Sequence, residues 1–425
     1  MKRVVILCVW LFSVVAGHAQ LSLDECRRLA RENYPEIRQY DLVHQTEQYN
    51  LSNAARAWIP QLAFSAQATW QTDAPNFPKE LTGMLAQQGL EIPGLRKDQY
   101  KVALELNQTI WDGGKSVADK RIARAEAAEQ KTMTDVDLYE LEGRVDDLYF
   151  GILLLDERIA QTNLTLNLLR SNLEKVRALQ RNGVAMQSDA DVLEAELLSV
   201  GQQLIQFESS CDSYRRMLGI FIGQRVGDRK LQRPSAVQPL SGESARPELA
   251  MFAAKIDRLT AQEKMVKSSM PRLGFFAQGY YGYPGLDYMQ SMMNNDWSWN
   301  AMLGVKLSWN FGAYYTQKNN LNKLRTSRQQ VEVQRDVFLF NMNLQAAQEN
   351  GDIARLRKAI ADDDRIVALR RSVREAAESK LRNGIIDTHD LLSKITDEST
   401  ASMARSMREI ELLKAIYEYK HTINR

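Results

Sequence analysis

Two short motifs are the first candidates for chemistry in this sequence. Gly113-Gly114-Lys115-Ser116 resembles the end of a phosphate-binding loop, but the first glycine of that motif would stand at position 109, which is Thr109. Asp387, His389 and Asp390 could together coordinate a metal ion, although three such residues at a helix start are more often solvated or capping. We therefore predict neither a nucleotide site nor a metal site.

Catalytic side chains are not apparent either. His44 and His421 are isolated in the sequence, and no Ser/His/Asp or Cys/His arrangement suggests itself. Cys26 and Cys211 are too few for a disulfide framework, and their spacing shows no metal pattern. The sequence therefore predicts no enzyme and no cofactor.

Composition limits the class of protein further. The chain has 425 residues, with 55 Lys+Arg against 53 Asp+Glu and 44% hydrophobic residues. This length exceeds a single domain of about 100–200 residues, and the ordinary hydrophobic content with a net charge near zero disfavours disorder. No apolar run reaches the ~18–20 residues of a membrane-spanning helix. The balanced charge argues against a nucleic-acid partner.

Residues 1–19 have the pattern of a secretory signal peptide. A basic start is followed by an uncharged apolar core over residues 4–15, and Gly17 and Ala19 occupy the small-residue positions of a cleavage site. A transmembrane anchor would need a longer run. Because Cys8 lies in the middle of the apolar core, we expect no lipid anchor.

The remaining chain divides into two similar halves, residues 20–240 and 241–425. Matching landmarks recur in the same order at a separation of roughly 200–210 residues, which indicates a duplicated architecture. The landmark pairs are Pro60 with Pro271, Trp111 with Trp309, and the Arg-Asn-Gly tripeptides ending at Gly183 and Gly384.

Each half contains two segments that alternate between apolar and polar residues. The predicted strands are 59–72 and 99–111 in the first half, and 270–283 and 297–311 in the second; residues 73–97 and 284–296 are expected to be loops. Alternation over ~10 residues is typical of a transmembrane β-strand, although it also fits a soluble sandwich. Tryptophans favour the membrane, since indole rings collect at membrane interfaces. All six tryptophans after residue 19 lie in or at the ends of these strands: Trp58, Trp70, Trp111, Trp297, Trp299 and Trp309.

Long helices are predicted over 114–182, 187–222, 314–382 and 387–422, with a shorter one over 246–268. Apolar residues step by four and three through these segments, which is the spacing of a coiled-coil seam. Cys211 falls on such a seam, so we expect a buried, apolar role for it. Four strands cannot close a barrel, and lipid does not tolerate an open sheet edge. Two copies would give a barrel filled by side chains, whereas three would give twelve strands around a lumen.

Taken together, these features resemble the TolC-like outer membrane efflux proteins. The resemblance is carried by the duplicated landmarks above, by Trp111-Asp112-Gly113-Gly114, and by two motifs near residue 20, Leu21-Ser22-Leu23-Asp24-Glu25-Cys26 and Asn33-Tyr34-Pro35-Glu36. It implies a mainly helical homotrimer with a twelve-stranded membrane β-barrel in the outer membrane of a Gram-negative bacterium and a large periplasmic portion. It further implies two partners, a periplasmic adaptor protein and an inner-membrane pump of RND, ABC or MFS type.

The resemblance also implies two kinds of functional site. The helix-turn tips around Gly183, Val184, Gly384 and Ile385 match the positions where the adaptor docks in the family. Asp390, the sixth residue after its glycine, matches an aspartate at the closed periplasmic aperture. Three copies of its carboxylate near one axis would attract cations; alternatively, Asp390 caps the returning helix. Its counterpart Asp189 is assigned to the same aperture, as a cap or a hydrogen-bond partner of the gate.

The sequence departs from the family pattern at three tip positions. Leu381 and Ile386 stand where a well-studied member has Tyr and Arg residues that lock the aperture, and Ser393 replaces a further aspartate. The lock is therefore either apolar or looser here. Two functions remain open, a passive exit duct for an efflux or type I secretion system and a structural envelope protein through which nothing passes.

Overall fold

The computed structural model describes residues 20–74, 78–89, 96–183, 185–235, 244–268, 271–285, 295–383 and 385–424. The predicted signal peptide lies outside them. The chain forms two compact units. The helical unit comprises the described residues of Met1–Tyr40, Thr132–Met251 and Gln334–Arg425, and the sheet unit those of Asp41–Lys131 and Phe252–Val333. Each unit draws on both halves of the duplicated sequence.

The sheet unit contains one antiparallel sheet of four strands in the order β1-β2-β3-β4. The strands are β1 Gln61–Trp70, β2 Asp98–Trp111, β3 Arg272–Tyr283 and β4 Ser298–Ser308. β4 ends three residues before the predicted boundary, because the backbone N–H groups of Ala313 and Tyr314 bond back to Asn310 and Phe311 in a turn that starts the next helix. The four predicted strands are confirmed.

Eight α-helices are present among the described residues. They are α1 Leu23–Asn33, α2 Gln39–Arg56, α3 Lys79–Gln87, α4 Lys115–Arg181, α5 Gln187–Ile222, α6 Pro247–Lys267, α7 Gly312–Arg382 and α8 Thr388–Ile423. α3 was not predicted and lies in the segment expected to be a loop, where it follows Pro78, a residue suited to a helix start. Among the described residues, no helix has both the length and the hydrophobicity that crossing a bilayer requires.

The core of the helical unit is built on the central part of α4. Tyr149 and Phe150 are fully buried there, together with Leu138, Leu141, Val145 and Ile152. The Tyr149 hydroxyl lies 2.7 Å from the carbonyl oxygen of Leu21 and 2.6 Å from that of Gln232, so its polar end is satisfied inside an apolar core. A second apolar cluster lies towards the α4–α5 and α7–α8 turns and includes Leu169, Val176, Leu193, Leu391 and Ile395.

Cys211 is buried as predicted, but it also has polar neighbours. Its Sγ lies 3.3 Å from an Asp156 carboxylate oxygen and accepts a hydrogen bond from Arg215 at the same distance. Arg215 in turn pairs with Asp156 at 2.8 Å. The thiol therefore lies within an ion pair and is not a purely apolar seam residue.

Candidate functional site

The sheet has one continuous apolar face, which the strand register defines. Residues paired across neighbouring strands project to the same side of the sheet. On this face Phe64 pairs with Leu104, and Tyr281 pairs with Trp299. Its side chains are strongly exposed in the single chain, with exposed fractions of 71% for Phe64, 76% for Leu303 and 80% for Trp299. So large an apolar surface marks a face that is covered by another molecule or by lipid.

The opposite face is polar. It carries Gln67, Lys101, Glu105, Gln278, Asn300 and Lys306. Gln278 donates a hydrogen bond to Glu105, and the Lys101 ammonium lies 4.5 Å from the centre of the Tyr280 ring. The aromatic residues of β3 do not alternate cleanly along the sequence. The register places Phe275, Tyr281 and Tyr283 on the apolar face and Phe276 and Tyr280 on the polar face.

The tryptophans lie at both ends of the sheet. Trp70 and Trp111 end β1 and β2, Trp299 lies in β4, and Trp297 and Trp309 flank β4. Trp58 precedes β1, where its carbonyl oxygen accepts a hydrogen bond from Gln108 at 2.7 Å. All six tryptophans are exposed in the single chain. Their role at a membrane interface remains a prediction.

Trp111 reaches its place through a β-bulge. Strict alternation would put it on the polar face with Thr109. Thr109 pairs with Gly274, but Trp111 pairs with the next residue, Leu273, because the register shifts between them. The extra residue turns Trp111 towards the apolar face, where an indole ring at the end of a membrane strand is expected.

The two outer strands have no strand partner on one side among the described residues. β1 pairs with β2 and β4 pairs with β3, so one edge of each is open. Since the sheet has an even number of antiparallel strands, β1 and β4 run in opposite directions. Copies related by rotation could therefore join β4 of one to β1 of the next in the same antiparallel manner.

The first helix-turn tip joins α4 to α5. Gly183 adopts a positive φ of 74°, and its N–H donates to the Gln180 carbonyl at 2.9 Å. This conformation is disfavoured for residues with a Cβ. Asp189 lies in the first turn of α5, where its carboxylate accepts the Met186 N–H at 2.8 Å. Val184, the other predicted docking residue of this tip, lies outside the described residues.

The second tip, between α7 and α8, is capped differently. The Asp387 carboxylate accepts the N–H of Asp390 at 2.8 Å, so Asp387 is the N-cap of α8. The helix-capping role suggested for Asp390 is thus filled by Asp387, three residues before it. The Asp390 side chain is exposed, and no described residue donates a hydrogen bond to its carboxylate. Ile385 is also exposed, whereas Gly384 lies outside the described residues.

Leu381 and Ile386, which depart from the family pattern, lie on either side of this tip. Both are partly buried and pack against the second apolar cluster, which also contains Leu391 and Ile395. Ser393 is exposed. Within the single chain, apolar packing is therefore present at the two positions where the family pattern has polar residues.

An ion cluster lies about one to three turns from the helix ends at the α7–α8 tip. Arg374 of α7 pairs with Glu378 of the same helix at 2.5 Å and with Glu398 of α8. Lys175 of α4 donates to Glu378 at 3.2 Å. Burial alone would raise the pKa of Glu378, but the hydrogen bonds from Arg374 and Lys175 outweigh it and hold that pKa below its usual value.

The segment over residues 113–116 forms a turn that the side chain of Asp112 closes. Asp112 accepts hydrogen bonds from the N–H groups of Gly114 and Ser116, at 2.9 and 2.7 Å, so these donors are already occupied. In the part of the chain that the structure describes, no group of His, Cys, Asp and Glu side chains could hold a metal ion.

The proximity of two positively charged residues was not predicted from the sequence. Arg272 and Lys306 lie on the polar face and line a cavity of about 370 Å³ at the end of the sheet. Alternation within each strand could have placed both side chains on the polar face. Their proximity depends on the β3–β4 register, which no local pattern specifies.

Comparison with known proteins identifies relatives of this architecture. Residues 27–223 match the family described as outer membrane efflux protein. Among solved structures, the outer-membrane channel OprN is similar at 14% identity and a TM-score of 0.69, over 94% of this chain and 89% of that chain. The outer membrane protein VceC from Vibrio cholerae gives 15% identity and a TM-score of 0.67, over 94% and 95%.

The Campylobacter jejuni outer membrane channel CmeC gives 14% identity and a TM-score of 0.66, over 94% of this chain and 85% of that chain. Comparison with curated proteins found no match. At these identities the structural likeness establishes a shared fold.

Proposed function

We propose that this chain is a member of the outer membrane efflux protein family, whose model matches residues 27–223, and that it is the exit duct of a tripartite efflux or type I secretion system. In this role it conducts substrates passively from an inner-membrane pump and its periplasmic adaptor to the outside. Selection then depends on pore width and charge, and the pump supplies the energy.

The observation that carries the proposal is the four-stranded sheet with one apolar face, one polar face and two open edges. An open edge leaves backbone N–H and C=O groups without partners, which a bilayer does not tolerate. Three copies joined edge to edge supply twelve strands, with the apolar face towards lipid and the polar face around a lumen.

Exposed apolar residues of the helical unit support assembly from several copies. Leu198, Ile205 and Ile220 of α5 have exposed fractions of 62%, 67% and 77%. Phe340 and Leu344 of α7 have exposed fractions of 69% and 63%. Apolar surface of this extent on a water-exposed helix is typical of an interface, and in a homotrimer the neighbouring copies would cover it.

The tips around Gly183 and Ile385 are the proposed docking sites for the adaptor. Their exposed residues follow directly on the ends of α4 and α7, which are held by the apolar cluster and the ion cluster described above. We assign Asp390 to the aperture of the duct, because its carboxylate is exposed and is not used as the helix cap. The class of the inner-membrane pump would be identified from the genes that neighbour this one, because the pump is a different chain.

Single-channel recording tests the proposal. Protein purified in detergent should migrate as a trimer and produce discrete ion-conducting steps in a planar bilayer, and deletion of its gene should sensitise cells to compounds that efflux pumps remove. A stable trimer that conducts no ions in any bilayer would support the structural alternative. A water-soluble monomer purified without detergent would contradict both the barrel and the duct.

A further inference from the structure

Two cations on the polar face of the sheet have no part in the function proposed above. Arg272 pairs with Ser308 and Lys306 pairs with Gly274, so the two side chains lie diagonally across neighbouring strands on the same face. Both are exposed. No carboxylate of the described residues forms an ion pair with either side chain. Two positive charges therefore lie close to each other without a neutralising carboxylate among those residues.

The acidic side chains of the surrounding cavity are already engaged. Arg272 and Lys306 line it together with Asp119 and Asp112. Asp119 pairs with Lys115 at 2.7 Å, and Asp112 accepts the backbone N–H groups of the turn that follows it. Asp119 is therefore paired with another cation and Asp112 is held by its own turn, and neither forms an ion pair with Arg272 or Lys306.

An aromatic ring lies in the same cavity, diagonally across from Lys306. Phe276 lines the same cavity and lies on the polar face, where it pairs with Gly304 of β4. Two of its ring atoms lie 3.0 Å from the position that a Cβ on Gly304 would occupy, so the glycine gives the ring room against the sheet. The phenyl ring offers apolar contact within the cavity that the two positive charges also line.

We propose that Arg272, Lys306 and Phe276 form a binding site for amphiphilic organic anions. The carboxylate or sulfonate of the ligand contacts the guanidinium and the ammonium, and its apolar body lies on the phenyl ring. The inference rests on the proposed function in one respect, because the polar face must line the lumen for the site to act during transport. It then names a class of substrate for the duct.

Calorimetry with the detergent-solubilised protein tests the site without requiring conduction. The probe is 1-naphthalenesulfonate, compared with neutral 1-naphthalenemethanol and with inorganic phosphate. We expect Arg272→Gln and Lys306→Gln each to weaken sulfonate binding by about two- to five-fold, as for single exposed ion pairs. Phe276→Ala should weaken sulfonate binding but leave phosphate binding unchanged. The matched control is Lys101→Gln, which removes one positive charge elsewhere on the same face.

Parallel bilayer recordings measure block of the current by the same probe, and circular dichroism verifies the fold of each variant. Equal affinity in the wild type and the Arg272→Gln/Lys306→Gln double variant would overturn the site, as would an equal loss in Lys101→Gln. Binding of 1-naphthalenemethanol as tight as that of the sulfonate would also overturn it. If binding depends on Arg272 but the protein conducts no ions, the site stands and the proposed function fails.

Discussion

The Nζ of Lys175 in α4 lies 3.2 Å from a carboxylate oxygen of Glu378 in α7. This contact joins the two longest helices close to the turns at which each one ends. The same carboxylate accepts a hydrogen bond from Arg374, which also bonds Glu398 of α8. Glu378 and Arg374 therefore link residues of three helices, and the charge of Glu378 should govern how firmly the tips are held.

We expect Glu378→Gln to lower stability by about 1–2 kcal/mol at pH 7, because it weakens the pairing of Arg374 and leaves Lys175 without this carboxylate. The pKa of Glu378 is held below its ordinary value of 4.5. A carboxyl group whose pKa is lower in the folded than in the unfolded state stabilises the fold at pH values above its unfolded-state pKa. That stabilisation is lost as the pH falls through the folded-state pKa.

The difference in Tm between wild type and Glu378→Gln should therefore shrink as the pH falls from 7 towards 3, as followed by circular dichroism. Glu375→Gln is the matched control, since the Glu375 side chain is 61% exposed and lies 3.4 Å from Arg374. A Tm difference that is constant over this pH range would show that the charge of Glu378 is not the stabilising factor.

Substitutions at two adjacent residues of β4 can distinguish the environments of the two sheet faces. Leu303 lies on the apolar face and Met302 on the polar face, and both are exposed in the single chain. Lysine on a lipid face costs about 2–4 kcal/mol at mid-bilayer depth. Leu303→Lys should therefore strongly reduce the amount of heat-resistant trimer in the outer membrane fraction, whereas Met302→Lys should assemble normally. The proposed orientation of the sheet is wrong if the two effects are reversed.

The same substitution should have opposite effects at two glycines of the helical unit. Gly183 has a φ of 74° with open space around its Cβ position, so Gly183→Ala should cost about 1–2 kcal/mol through backbone strain alone. Gly201 lies inside α5, also with open space, so Gly201→Ala should stabilise by about 0.5–1 kcal/mol. Thermal unfolding of the two variants checks both signs, and a stabilising Gly183→Ala would contradict the left-handed turn.

Asp390→Ala should weaken block of the channel by polyvalent cations. Three carboxylates at about 6 Å repel one another by ~0.7 kcal/mol per pair in water and by more at lower dielectric, and a bound cation relieves this repulsion. We expect the blocking concentration of hexaamminecobalt to rise by at least about five-fold in bilayer recordings. Asp189→Asn, at the corresponding position of the first tip, should change it less, because that carboxylate bonds the Met186 N–H. Identical block in Asp390→Ala and wild type would exclude the carboxylate ring.

Local sequence patterns were sufficient to predict most of the regular elements. The four-three spacing around Leu141 and Val145 predicted α4, and the alternation from Leu62 to Trp70 predicted β1, because each pattern reflects one buried or apolar face. Helix α3 was missed, since its nine residues carry no long periodic signal.

The pairing between strands could not be obtained in this way. The bulge that turns Trp111 and the proximity of Arg272 and Lys306 depend on register, which is set by contacts between distant parts of the chain. The difference in helix capping between the two tips could have been predicted from the sequence. Met186 and Asp387 stand three residues before Asp189 and Asp390, and of these two only the aspartate can act as a side-chain cap.

Both cysteines of the described chain are free thiols sealed inside the protein. Burial raises the pKa of Cys26 to about 12, so hardly any of its thiolate is present at neutral pH. Maleimide reagents should consequently ignore the native thiols of the folded protein. A cysteine introduced at position 302 or 303 would therefore be the only thiol of the described chain that reacts. Comparing a water-soluble with a lipid-soluble maleimide would show which of these two positions faces the aqueous side of the sheet.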